Sequence, residues 1–250
     1  MLDDLVRIHH GQYQEDLPFW HAVTRGREPI LELGCGHGRV MVSLGKAGRR
    51  IVGLDSDPRA LASLRASLEG WSTSPLEVVQ ADMLSIPFPT IFEAVIIPCN
   101  TFSTFSAGER VRLLRGIKRC LVPGGTLSAS LPNPVLMEEI HRELSGESDQ
   151  AEPDVEAVFP HPQTGNPVQV SSQLFPGPET LTWEWIYDHL LPDGRVERST
   201  RSTLHTLASL EVYQEEIEGA GFQVLSLQGD FSGSTYQQDS PYLIWQATAG

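Results

Sequence analysis

Three glycines at alternate positions, Gly34, Gly36 and Gly38, end the apolar run Ile30-Leu31-Glu32-Leu33, and Arg39 to Ala47 can then start a helix. Glycine reaches backbone conformations closed to other residues and lets a ligand approach the main chain. A strand that breaks into such a turn and then a helix is a device for cradling a nucleotide. Three acids stand near it in strand-end settings. Glu32 lies inside the first apolar run. Asp55 ends Ile51-Val52-Gly53-Leu54, 17 residues beyond Gly38, close to the offset of roughly 20 residues at which a carboxylate meets ribose hydroxyls in related folds. A carboxylate can accept both hydrogen bonds of a vicinal diol. Asp57 fits a helix N-cap, with Pro58 at the first helical position, which leaves Asp55 for a ligand. Asp82 ends Val78-Val79-Gln80-Ala81 and is followed by the apolar Met83; taken alone it is equally a turn residue.

The dinucleotide fingerprint Gly-x-Gly-x-x-Gly does not fit, because the third glycine falls one residue early and Arg39 occupies its place. The acid followed by Gly-x-Gly-x-Gly, the strand-end acids Asp55 and Asp82, the strand Ala94–Ile97 leading into Pro98-Cys99-Asn100, and the turn Pro123-Gly124-Gly125 before Thr126–Leu131 together resemble the class I S-adenosylmethionine-dependent methyltransferases. The markers cover about 100 residues in register. The resemblance implies a Rossmann-like α/β fold, with a seven-stranded, mostly parallel sheet and helices on both faces. It implies S-adenosylmethionine as cofactor, with Glu32 suited to its ammonium and Asp55 to its ribose. Asp82 would accept from the adenine amino group and Met83 would cover the ring. Gly34, Cys35, Gly36, Gly38, Ser56 and Pro98 would line the same ligand. An N-terminal helical segment often lids the cofactor in such enzymes, which makes Tyr13 and Trp20 candidates; the other reading of Trp20 is plain core packing.

No catalytic pair is adjacent in sequence. Asn100 could orient an acceptor through its amide, and His189 or Tyr187 could act from a later segment, although His189 also reads as an exposed strand residue. The DNA amino-methyltransferase signature is absent at Pro98–Thr101. The eight histidines lack metal-ligand spacing, so no metal is expected. A sulfonium is already a good leaving group, so a dedicated base is needed only if the nucleophile arrives protonated.

These residues need elements to hold them. From Ile30 to Leu131 strand and helix patterns alternate: 29–33, 39–46, 50–54, 58–70, 76–80, 93–97, 107–120 and 126–131. Such alternation means a parallel sheet covered on both faces. Residues 145–167 are polar and rich in proline and glycine, and read as loop. Segments 168–172, 180–187 and 196–202 alternate polar and apolar residues between turns and read as a three-strand antiparallel meander. A helix over 207–220, ended by Gly221, a strand over 222–227 and an antiparallel edge strand over 242–247 close the chain. The segment Gly229–Pro241 reads either as a closing segment near the open end of the sheet or as an ordinary hairpin loop. A single domain follows: a helical lid at 1–27, a cofactor-binding core at 28–145, a β insertion at 165–206 and a return to the core sheet at 207–250.

The chain has 250 residues, 32 acids against 18 bases and a formal net charge of −14. That balance opposes nucleic-acid and anionic-membrane binding, both of which draw on clustered Lys and Arg. No run of 18 apolar residues exists and the start is no signal peptide, so the expected location is cytoplasmic. Cys35, Cys99 and Cys120 form no disulfide framework. The expected partner is a small-molecule acceptor methylated at N or O, and the exposed meander offers a surface for a second copy. A non-catalytic protein that binds the same cofactor is the main alternative. A nicotinamide oxidoreductase is weaker, lacking both the third glycine and a Tyr-x-x-x-Lys.

Overall fold

A computed structural model describes residues 2–69, 76–146 and 152–250. In chain order the elements are α1 (Leu2–Gln12), α2 (Leu17–Val23), β1 (Ile30–Leu33), α3 (Arg39–Lys46), β2 (Ile51–Asp55), α4 (Pro58–Ser67), β3 (Leu76–Gln80), β4 (Phe92–Ile97), α5 (Ala107–Cys120) and β5 (Leu121–Pro132). There follow α6 (Pro134–Gly146), β6 (Asp154–Pro160), β7 (Pro167–Gly177), β8 (Thr180–Leu190), β9 (Val196–Thr206), α7 (Leu210–Gly219), β10 (Phe222–Gln228) and β11 (Tyr242–Ala249). They form two compact units: Gln14–Leu136 with Ala208–Gly250, and Met1–Tyr13 with Met137–Leu207.

The first unit is a seven-stranded sheet of order β10-β11-β5-β4-β1-β2-β3. Its β1–β5 pairings are parallel, whereas β11 runs antiparallel to both β5 and β10. β1 and β4 are neighbours, with the chain moving outward from each in opposite directions. Their carboxyl ends therefore mark the switch point where open α/β sheets bind ligands. Strand residues alternate between the faces. Ile30, Ile51, Ala94 and Ile96 pack with Val40, Met41, Leu44, Leu61 and Leu64 of α3 and α4. Leu31, Leu33, Val52, Leu54, Val95 and Ile97 pack with Leu113, Leu114 and Ile117 of α5 and with Tyr213 of α7. Glu32 shares the face of Ile30 and is buried at 3% exposure. On the other face Arg110 ties α5 to α7, donating from Nε and Nη2 to both oxygens of Glu216 at 2.7 Å.

The second unit is an antiparallel sheet of order β6-β7-β8-β9. Leu5 and Val6 of α1 pack on its Phe159, Val168, Val170 and Tyr187.

Several expectations need correction. The meander has four strands: β6 lies where loop was expected, because it is an edge strand with Val155 and Val158 exposed and Pro160 at its end, so its alternation is weak. Helix α6 falls where the sequence reading assigns no element; Asn133 caps it, its Oδ1 accepting from Val135 N at 3.0 Å. β11 lies inside the sheet and β10 forms the edge. The Pro123–Gly125 turn is absorbed into β5, and the N-terminal 27 residues carry two helices, one in each unit. Gly70, the expected end of α4, and residues 147–151 of the expected loop lie outside the described residues. Among the described residues no helix is long and apolar enough to cross a membrane.

Candidate functional site

The glycine turn is built by left-handed backbone at Gly34, Gly36 and Gly38, with φ of 73°, 51° and 84°. The three glycines serve different ends. A Cβ on Gly38 would meet Leu64 Cδ1 at 2.3 Å, so Gly38 lets α3 and α4 pack together. A Cβ on Gly34 would stand 3.0 Å from Thr101 Cγ2 and 3.4 Å from Met83 Cε, which places the turn, Met83 and Thr101 around one point. Above Gly36 only Asp55 Oδ2 comes within 4 Å, at 3.9 Å, so space is open over the middle of the turn.

Asp55 is fixed from two sides. Its Oδ2 accepts from Gly36 N at 2.7 Å and its Oδ1 from Asp57 N at 2.8 Å. Each carboxylate oxygen has two acceptor positions, so both retain one. Asp57 is the N-cap of α4, accepting from Arg59 N at 2.9 Å with Pro58 behind it, as the sequence leads one to expect. Asp82 caps a 3₁₀ turn at Met83–Ser85, its Oδ1 accepting from Leu84 N at 2.9 Å; the residue is exposed and Met83 half-buried. Ser56 is exposed beside Asp55, and Pro98 is buried at the end of β4.

Glu32 is the most perturbed acid. Burial pushes its carboxyl up to about 8, against the pull of Arg39 and with added repulsion from Asp16 and Asp55. Its Oε2 is buried without a hydrogen-bond partner. Buried polar atoms rarely stay unpaired, and this one lies on the strand that ends in the turn.

Sequence reasoning missed the network that frames Glu32. Asp16 is 1% exposed and Arg39 donates to both of its oxygens, Nη2 to Oδ2 at 2.6 Å. Trp20 Nε1 donates to the same Oδ2 at 2.8 Å, and Arg39 Nη2 donates to Cys99 Sγ at 3.0 Å. Burial opposes the charge on Arg39, but the Asp16 pairing outweighs it and holds the guanidinium above its usual range. The sequence signal of this network is a charged residue, Arg39, opening a helix that goes on Val40-Met41-Val42.

Trp20 takes the core alternative: it is wholly buried, edge-on to Phe19 at 4.9 Å and beside Phe231. Tyr13 is half-buried and lies in the other unit. Cys35 is buried with its Sγ turned toward Gly53, so only its backbone faces the turn. Cys99 and Asn100 both adopt left-handed backbone, φ 58° and 60°. Asn tolerates that region, but Cys there is strained, and such strain clusters at functional sites. Tyr187 and His189 belong to the second unit. Tyr187 is wholly buried, its hydroxyl 3.1 Å from His9 Nδ1. His189 is buried rather than exposed, its Nε2 2.9 Å from Thr164 Oγ1 and its ring stacked on His161 at 4.1 Å.

A switch-point glycine turn, flanked by strand-end carboxylates on a sheet with one antiparallel strand next to its edge, defines a Rossmann-like methyltransferase fold. Residues 30–125 match the family model described as a methyltransferase domain. The cypemycin N-terminal methyltransferase of a Streptomyces species is 33% identical over 115 residues, a stretch covering 46% of this chain and 45% of that protein. The structure is similar to an S-adenosylmethionine-dependent methyltransferase from Clostridium acetobutylicum ATCC 824, with TM-score 0.74 at 9% identity over 98% of this chain and 95% of that one. It is also similar to the sugar N-methyltransferase KedS8 from Streptoalloteichus sp ATCC 53650, with TM-score 0.73 at 19% identity over 98% and 92%. Residues 30–125 are therefore a methyltransferase domain, and the chain has the fold of S-adenosylmethionine-dependent methyltransferases.

Proposed function

We propose that this chain transfers a methyl group to nitrogen of a small-molecule acceptor, with its cofactor held at the glycine turn. The observation that carries the site is Glu32: a buried carboxyl with one unpaired oxygen, on the strand leading to an open glycine. An ammonium is the group that would both pair it and ionise it. In this reading Gly34, the Cys35 backbone and Gly36 admit the methionine portion, and the remaining acceptor positions of Asp55 take the ribose diol, with Ser56 at its edge. Asp82 takes the adenine amino group, with Met83 and Thr101 against the ring and Pro98 closing the side. Gly38 acts through helix packing, and Trp20 through the core.

S-adenosylmethionine, when bound, supplies a methyl group on a sulfonium that is already set to leave. The chain's own work is then to hold, orient and exclude water, and such positioning can be worth roughly 7–11 kcal/mol. In this reading Asn100, in a left-handed turn, orients the acceptor through its amide. KedS8 is by name a sugar N-methyltransferase and the cypemycin enzyme an N-terminal methyltransferase, which supports nitrogen over oxygen here. A homodimer through the edge strand β6, whose Val155 and Val158 are exposed, belongs to the same reading and is checked by light scattering.

The test is calorimetric titration with S-adenosylmethionine, S-adenosylhomocysteine and NAD, followed by transfer of labelled methyl to a panel of amines and alcohols. The reading expects the first two ligands to bind, NAD to fail and amines to be labelled. Labelled alcohols without labelled amines would overturn nitrogen as the acceptor atom, and cofactor binding without transfer to any member of the panel would leave a non-catalytic binder.

A further inference from the structure

The outer side of α5 carries three arginines that the chain supplies with no acid. Arg112, Arg115 and Arg119 are exposed. Their spacing along the helix puts them within about 60° of one another around its axis, and like charges so placed repel and weaken a helix. The chain holds 32 acids against 18 bases, and four other arginines each receive one: Arg39 has Asp16, Arg49 has Glu28, Arg110 has Glu216 and Arg198 has Asp188. Among the described residues no ion pair joins Arg112, Arg115 or Arg119 to a carboxylate. Glu109 lies one turn before Arg112, but its carboxylate is engaged by Ser106, accepting from N at 2.9 Å and from Oγ at 2.6 Å.

The three side chains line one cleft. Leu84, Ser85 and Ile86 form its other wall, and the space between is about 510 Å³, within the size of small-molecule sites. Arg112 Nη2 donates to Ser85 Oγ at 2.9 Å, which fixes that guanidinium at the cleft and leaves the serine its own proton to donate. Arg119 folds back along the helix: its Nη2 lies 3.8 Å from the place a Cβ on Gly116 would take, one turn nearer Arg112 and Arg115. Mutual repulsion alone would spread these charges into solvent, whereas the fold gathers them.

We propose that this cleft binds the phosphoryl group of a small molecule, a phosphate monoester or a diphosphate. A guanidinium presents a planar fork of donors that matches oxyanions bidentately. Three forks and a hydroxyl around one space suit a tetrahedral oxyanion, which carries oxygens on every side; a planar carboxylate is served by a single fork. The net charge of −14 works against a long polyanion such as nucleic acid, which must engage many cations along its length. A compact anion feels chiefly the arginines beside it, since charges beyond about 8 Å are screened at physiological salt. The six lining residues include none assigned to the cofactor, so the proposal does not rest on the methyl-transfer reading.

The experiment is calorimetric titration of the full chain with pyrophosphate, inorganic phosphate, acetate and a short single-stranded RNA, at a constant ionic strength of about 0.15 M. Pyrophosphate is expected to bind at a single site, at least about tenfold more tightly than acetate, and saturating S-adenosylhomocysteine should not displace it. Arg115→Gln and Arg119→Gln should each weaken pyrophosphate roughly tenfold, the lower end for a charge-assisted hydrogen bond. Arg142→Gln, which removes the same charge from an exposed position of α6, should leave it unchanged. Neither cleft variant should melt below the wild type, because each relieves like-charge repulsion. No binding of pyrophosphate, equal binding of acetate, tighter binding of RNA, displacement by S-adenosylhomocysteine, or unchanged affinity in both cleft variants overturns the proposal.

Discussion

Affinity for S-adenosylhomocysteine is expected to rise with pH between about 6 and about 8.5, because the buried Glu32 must give up a proton to meet the ligand's ammonium. With its carboxyl at about 8 in the cofactor-free chain, about a quarter of the molecules carry the carboxylate at pH 7.5 and about 3% at pH 6.5. The dissociation constant should therefore be about fourfold above its high-pH limit at pH 7.5 and about thirtyfold above it at pH 6.5. Glu32→Gln removes the titrating group. Its affinity should be flat over this range and weaker at high pH by roughly 10- to 150-fold, the loss of a charge-assisted hydrogen bond worth about 1.5–3 kcal/mol. Calorimetry at five pH values on both proteins is the assay. A wild-type affinity that stays constant across the range, or a Gln variant that keeps the slope, would refute the reasoning. The same group affects folding. The folded chain keeps a proton that the unfolded chain releases, so stability should fall as pH rises from the ordinary Glu value toward about 8 and then level off.

Asp55→Ala should abolish measurable cofactor binding while the melting temperature moves little, since Asp55 is partly exposed and both of its protein partners are backbone amides; an unchanged titration curve would remove Asp55 from the site. Gly36→Val should do the same, because a β-branched residue at φ 51° is strained and its side chain would occupy the open space above the turn. Gly38→Ala should instead lower stability through the contact with Leu64, and a melting curve identical to the wild type would contradict that division of roles. Arg110→Ala leaves the mostly buried Glu216 unpaired, at a cost of about 3–5 kcal/mol, readable by denaturant unfolding with cofactor-site residues untouched.

The core was legible because its rules are local. Runs such as Ile51–Leu54, buried on both faces, read directly as parallel strands, and Asp57-Pro58 announced the start of α4. Glu32, Asp55 and the glycines were legible because strand ends and turns fix their places. Asp16 and Arg39 were not, since their pairing depends on how α2 packs beside α3, 23 residues away. β6 and α6 were lost for different reasons. Proline and glycine argued for loop over 145–167, where the edge position of β6 allowed a strand; α6, to which no element was assigned, starts from the Asn133 cap.

The most direct test of the central claim is a crystal structure of the protein with S-adenosylhomocysteine. The account expects the ligand's amino group against Glu32, its ribose hydroxyls on Asp55, its adenine between Asp82 and Met83, and its main-chain approach at Gly36. Density for the ligand at any other place, or a Glu32 carboxyl still unpaired once the ligand is bound, would contradict it.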